Sequence, residues 1–395
     1  MGTIKTTFIM SRKEMRYTKT ILFPLVMACG VLLMLAQCRK SGTSVHNEQG
    51  DTLAMRYATL LQIVKYDGYT TVSIANPWKE GIPLHRYVLV DKHRPLPDHL
   101  PEGTVIRTPI ERAVIFTASH CQLLGWLHGE RQLAGVADLK YMSIPWVQQG
   151  VREGTITDCG DGMNPVVEKI IDMAPDLLML SPFENSGGYG QLEDIHIPLM
   201  ECADYMETSA LGRAEWMRLY GMLFGKEEVA DSLFNVMHQS YMALKDSARK
   251  ATVQRSIITE KLTGSTWYVA GGESSVGRLI ADANGRYAWA DDKHSGSLSM
   301  TFETVLDKAG QSDVWIFNHF GSGRLTYSRL ASEYPGYKEM KAFKEHNTWY
   351  VDTQQVTYFE EVPFRPDFLL RDYICLLHPE LGLGQPKYYT PVATE

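Results

Sequence analysis

The chain has 395 residues, 44% hydrophobic and 22% charged, which is room for two ordinary domains and the composition of a folded protein, not a disordered or collagen-like one. Its formal charge is −7, and the first 37 residues carry five Lys/Arg against one Glu; without them 34 basic residues face 45 acidic ones, a balance of −11. A phosphate backbone needs a basic surface, so nucleic acid is not an expected partner.

Residues 21–36 form an uncharged stretch preceded by Lys5, Arg12, Lys13, Arg16 and Lys19. It is shorter than the roughly 20 residues that span a bilayer, so residues 1–37 read as a signal peptide. Leu35-Ala36-Gln37-Cys38 resembles a bacterial lipobox, with Cys38 the expected acylated residue, although Gln37 stands where a small residue is usual. Cys29 is the alternative lipidation site, an uncleaved anchor the plainer reading, and Met10 and Met15 are both open as translation starts. Residues 38–52, rich in Ser, Gly, Asn and charge, suit a lipidated flexible tether. The folded body is then expected in the periplasm, held to a membrane by its lipid.

Residues 53–111 hold short alternating runs around 70–74 and 86–90 with Pro-rich turns, which predicts a β-rich extension of antiparallel strands packed on the first lobe. From Arg112 the rhythm changes. Strands are predicted at 113–117, 132–136, 177–180 and 199–203, and helices at 121–127 and 165–173, an alternation that implies an N-terminal α/β lobe over 112–209 with a largely parallel sheet. Residues 210–252 read as linking helices, since Val229, Leu233, Val236, Met237 and Leu244 recur at helical spacing. A C-terminal α/β lobe follows over 253–380, with strands at 256–259, 266–270, 314–317 and 348–351 and helices at 276–284, 302–308 and 366–377; residues 381–395 read as a tail. Cys121, Cys159, Cys202 and Cys375 are widely spaced beside apolar residues and form no zinc-type pair, so buried free thiols are expected, with a disulfide left open.

An internal echo supports the two-lobe division. Glu168-Lys169-Ile170-Ile171-Asp172 with the apolar run 177–180 matches Glu303-Thr304-Val305-Leu306-Asp307 with 314–317. Each copy reads as a short helix opening near a glutamate, followed by a buried strand, with Asn164-Pro165 and residues 299–301 supplying the N-terminal caps.

With these units, the motif Leu211-Gly212-Arg213-Ala214-Glu215-Trp216, and Arg365-Pro366-Asp367 and His378-Pro379 near the end, the chain from about Arg112 to Pro379 resembles the extracytoplasmic solute-binding proteins of ABC importers. The resemblance is to the group with a single long helix between its lobes, which carries ferric siderophores, haem or vitamin B12, and most to its Bacteroidetes branch. It implies a monomer without intrinsic cofactor that holds an iron complex, or alternatively cobalamin, between the lobes. It implies as partners a membrane permease with its ATPase. It also implies that Glu168 and Glu303, one per lobe, dock on permease arginines, and that the long helix permits only a small closure.

The same resemblance places the ligand at loops leaving the C-terminal strand ends. The candidate cleft residues are Ser119, His120, Phe183, Glu184, Tyr189, Trp267, Tyr268, Gly271, His319, Phe320, Tyr358, Phe359 and Arg365, with Arg278 and Arg324 as further arginines for an anionic cargo. Direct Zn or Mn binding would draw on His120, His319 and Glu184, which lack a His-rich loop. An enzyme would need a nucleophile elbow, a zinc-protease helix or a phosphate loop, and none of those motifs occurs, so no catalytic residue is expected.

Overall fold

The computed structural model describes residues 50–184, 188–321 and 323–395. The expected signal peptide, Cys38 and most of the tether lie outside the described residues. Among the described residues no helix is long and apolar enough to cross a membrane.

Strands β1 (Asp51–Thr52), β2 (Leu61–Lys65), β3 (Thr70–Ala75), β4 (Pro83–Asp91) and β5 (Thr104–Thr108) form one sheet in that order. Leu61 and Ile63 of β2, and Val72 and Ile74 of β3, alternate inward as a half-buried strand requires. The expectation of antiparallel strands holds through β4 but fails for β5, which runs parallel to β4. The connection 92–103 is long enough to return the chain to the starting end, which a tight hairpin could not do.

Two buried carboxylates fasten the segment between β1 and β2. Glu215 accepts the backbone N–H groups of Arg56, Tyr57 and Ala58 at 2.8–3.0 Å. Glu207 accepts those of Thr59 and Leu60 together with the Trp216 indole N–H. Charged acceptors that gather several N–H donors make strong hydrogen bonds, which accounts for both glutamates in an apolar setting.

Strands β6 (Ala113–Ile115), β7 (Leu133–Val136) and β8 (Thr157–Asp158), then β11 (Leu177–Leu180) and β12 (Leu199–Glu201), form an all-parallel sheet in the order β12-β11-β6-β7-β8. The first, second and fourth of these are buried at every residue, as expected for strands covered on both faces. Helices α1 (Ala118–Trp126), α2 (Pro145–Glu153) and α3 (Val167–Met173) flank them. α3 begins two residues later than predicted. Asn164–Pro165 is not its cap but strand β10 of a hairpin with β9 (Gly160–Asp161), whose turn is closed by Asp161 accepting from the Met163 N–H.

Three helices follow, α4 (Ala210–Glu215), α5 (Met217–Phe224) and α6 (Glu227–Ala248). At 22 residues α6 is about 33 Å long, and it packs on α5 and on the C-terminal helix described below.

The second parallel sheet has the order β16-β13-β18-β19-β20, built from β13 (Ser256–Thr259), β16 (Arg286–Tyr287), β18 (Val314–His319), β19 (Thr348–Asp352) and an antiparallel edge, β20 (Thr390–Pro391). Residues 381–395 are therefore no loose tail. Asp372 binds the N–H groups of Lys387 and Tyr388, and both Tyr388 and Tyr389 are buried. The strand expected at 266–270 exists but belongs to a separate antiparallel sheet, β14 (Leu262–Thr263), β15 (Thr266–Ala270) and β17 (Ser297–Met300). The two-residue turn with Gly264 at φ +62° folds β15 back as a hairpin, which a parallel crossover cannot be. Helices α7 (Ser275–Asp282), α8 (Phe302–Ala309), α9 (Tyr327–Glu333) and α10 (Pro366–Leu377) complete this half. The Thr301 hydroxyl caps α8 by accepting from the Thr304 N–H, as its sequence predicts. Cys121, Cys159, Cys202 and Cys375 are buried free thiols.

Candidate functional site

Both parallel sheets reverse their winding next to their first strand, between β6 and β11 in one and between β13 and β18 in the other. Crevices at the C-terminal ends of strands open at such points. Here a cavity of about 530 Å³ lies between the strand ends of the two sheets. Phe116 and Thr117, after β6, and Asp138, after β7, line it from one side; Glu260, after β13, and Asn318 of β18 line it from the other. Ala118, Ala210, Ser275 and Pro366, the first residues of α1, α4, α7 and α10, also reach it, so four helix N-termini converge there. A second cavity of about 550 Å³ shares Phe116, Thr117 and Asp138 with the first and lies at the β6/β11 crevice, against Leu180, Ser181, Phe183 and Tyr189.

Several features set the chemistry of the main cavity. Asp138 and Glu260 both take left-handed backbone angles, φ 55° and 65°, a conformation that costs about 1–3 kcal/mol in a non-glycine residue and gathers at functional sites. Burial raises the pKa of the Glu260 carboxyl. Asn318 Oδ1 is buried without a hydrogen-bond partner among the described residues. Arg213 lines the cavity and donates from Nε to Asp204 Oδ2 at 3.0 Å.

Asp204 is the centre of a buried network. It also accepts from Tyr220 at 2.9 Å and pairs with His120 Nε2 at 3.0 Å, while the opposite ring nitrogen of His120 meets the Thr117 hydroxyl. Burial works against charge on His120, but Cys202 and Asp204 outweigh it and raise its pKa to about 10. Burial likewise opposes the Asp204 carboxylate, and His120, Arg213 and the Tyr220 hydroxyl overcome it, lowering its pKa to about 2. The network holds both the β6 loop and Arg213 in place at the cavity wall.

A strand-end cavity between two switch-point sheets is an arrangement for holding a small molecule. The periplasmic binding protein family matches residues 114–354, more than half of the chain. The chain belongs to the periplasmic binding protein family. An uncharacterized lipoprotein of Methanocaldococcus jannaschii is 24% identical over 370 residues, spanning 87% of this chain and 86% of that protein. Among solved structures, a possible iron-binding periplasmic solute-binding protein of Staphylococcus epidermidis superposes with a TM-score of 0.55 at 19% identity, over 69% of this chain and 100% of that one. A Saccharomonospora viridis protein of an ABC-type Fe3+-hydroxamate transport system gives 0.54 at 18%, over 77% and 97%. A periplasmic heme-binding protein of Pseudomonas aeruginosa gives 0.54 at 16%, over 72% and 96%. At these identities the likeness is one of fold.

Within this periplasmic binding protein, Ser119, Tyr358 and Phe359 of the predicted cleft line the main cavity, and Phe183 and Tyr189 line its neighbour. Glu184 is exposed beside the latter two. The other predicted cleft residues sit elsewhere. His120 is buried on Asp204, and Trp267 is fully buried against Trp315, Phe302 and Tyr337, its indole N–H on the Thr259 carbonyl. Gly271 is buried where a Cβ would meet the His294 carbonyl at 2.2 Å, so it serves a close backbone approach. His319 is buried edge-on to Tyr350, while Tyr268 and Phe320 are exposed outside the cavity. Arg365 forms a double hydrogen bond with Asp367 at 2.8 and 2.7 Å and lies over the Phe368 ring, which turns it to its own helix start. Among the described residues no group of three or more His, Cys, Asp or Glu is placed to hold a metal ion.

Glu260, Asp138 and Arg213 escaped the sequence reading. A charged residue directly after an apolar strand was the available signal for Glu260. Tyr189 has a further tie: its hydroxyl donates to Glu201 at 2.7 Å, and Glu201 pairs with His85 of β4 at 3.0 Å, so the extension reaches the wall of the second cavity.

Proposed function

We propose that this periplasmic binding protein is the cargo-binding component of an ABC importer and captures a metal chelate between its two sheets. The cargo is an iron complex, a ferric siderophore or haem; vitamin B12 is the second reading, favoured by a cavity lining with a single guanidinium among the described residues. The chain acts as a lipoprotein anchored through Cys38 on the periplasmic side, as a monomer without intrinsic cofactor or catalytic residue. It hands cargo to a permease and its ATPase by way of Glu168 and Glu303. Supporting this docking role, both glutamates are exposed in the first turn of helices flanking different sheets.

The observation that carries the reading is the cavity lined by strand ends of both parallel sheets. Titration of the full chain with ferrioxamine B, haemin and cyanocobalamin, followed by calorimetry, is expected to show saturable one-to-one binding of at least one of them without chemical conversion. Absence of binding to all three, or turnover of any, contradicts the proposal.

A further inference from the structure

The charge and hydrogen-bonding inventory of the main cavity narrows its cargo. A polyanion such as a ferric tris-catecholate must lose its water in the cleft and needs cationic groups to replace it. Among the described residues the cavity lining holds one guanidinium, that of Arg213, and its Nε already faces the buried carboxylate of Asp204. Asp138 and Glu260, on opposite sides of the cavity, add two acidic residues to its lining. The arginines that sequence offered for an anion are directed elsewhere or lie outside the lining: Arg365 is spent on Asp367, and Arg278 donates to the Glu273 carbonyl. Lys140, next to the lining residue Tyr141, is turned toward Asp161 at 3.7 Å.

The remaining groups are neutral and of both kinds. Helices α1, α7 and α10 begin at the cavity and place the partial positive charge of their N-terminal ends there. Asn318 supplies a buried acceptor that has no hydrogen-bond partner among the described residues, and a buried polar atom is left unpaired at a cost unless something else pairs with it. Leu279, Val276, Phe359 and Pro363 give the cavity its apolar area.

Resting on the importer reading above, we infer that the cleft takes a neutral or singly positive metal chelate rimmed with amide-type groups, which donate to Asn318 and the carboxyls and accept from the helix N-termini. Carboxamide-bearing corrinoids and hydroxamate complexes have that chemistry. Catecholate complexes and haem, whose outer charges are negative, do not.

Calorimetric titration of the full chain compares cyanocobalamin and ferrioxamine B with ferric enterobactin and haemin. At least one member of the first pair is expected to bind about tenfold or more tighter than either member of the second. In Asn318→Leu, affinity for that preferred chelate is expected to fall about three- to tenfold, the worth of one hydrogen bond. The thermal midpoint is expected to stay where it is or rise, because the lost oxygen has no hydrogen-bond partner among the described residues. Tighter binding of ferric enterobactin or haemin overturns this inference and leaves the importer reading standing, as does an Asn318→Leu variant of unchanged affinity. Failure of all four to bind removes the importer reading itself.

Discussion

Asp204→Ala is expected to lower the unfolding free energy by about 3–5 kcal/mol, the usual consequence of removing one partner from a buried charge network. The carboxylate is shared by His120, Arg213 and Tyr220, so its loss leaves a buried imidazolium and a half-buried guanidinium uncompensated. The pH dependence follows from the two shifts. His120 has its pKa raised to about 10, so its contribution is complete below the ordinary histidine value of roughly 6.5 and is lost as pH rises through about 10. Asp204 is lowered to about 2, so its contribution is complete above an ordinary aspartate value of roughly 3.9 and is lost as pH falls through about 2. The wild type should therefore lose stability from this network on both sides of a plateau between roughly pH 4 and 6.5, and Asp204→Ala should flatten the alkaline arm. Denaturant unfolding at a series of pH values measures both. A variant as stable as wild type, or an unchanged alkaline slope, contradicts the assignment.

The double change Glu168→Ala with Glu303→Ala is expected to reduce transport by about tenfold or more while leaving chelate affinity unchanged. The two carboxylates stand in first turns of α3 and α8, exposed, on helices that flank different sheets. Exposed ion pairs add little affinity singly, about 0.2–1 kcal/mol, but two of them on separate halves of a body fix its orientation and speed encounter with a basic partner. Uptake of radiolabelled chelate by cells carrying the variant measures the effect. Normal uptake with normal binding would remove both glutamates from the docking role.

Much of the architecture was legible because buried parallel strands have a plain signature. The runs 113–115, 177–180 and 314–317 are apolar at almost every position and are buried accordingly. The start and end of α10 were readable from Pro366 and the apolar spacing up to Leu377. The site was less legible for a physical reason. His120 follows a strand, as a ligand residue would, but its fate is decided by Asp204, 84 residues further on, a contact that no local pattern announces. Trp267 has the look of a cleft aromatic, yet the Gly264 hairpin turns it into the core beside Trp315. Tyr358 and Phe359 were found because they lie a few residues beyond the C-terminal end of β19. Arg213 was within a recognisable motif, but only the fold shows that its helix begins at the cavity.

Capture between the two sheets is tested most directly by chelate titration of the full-length Val276→Trp variant beside wild type. Val276 lies in the first turn of α7, on the cavity wall and outside the fully buried core, so the larger ring occupies cargo space with little cost to the fold. Affinity for the chelate that wild type binds best should fall by about tenfold or more, with the thermal midpoint unchanged. Undiminished affinity in the folded variant would mean that the cargo is held elsewhere.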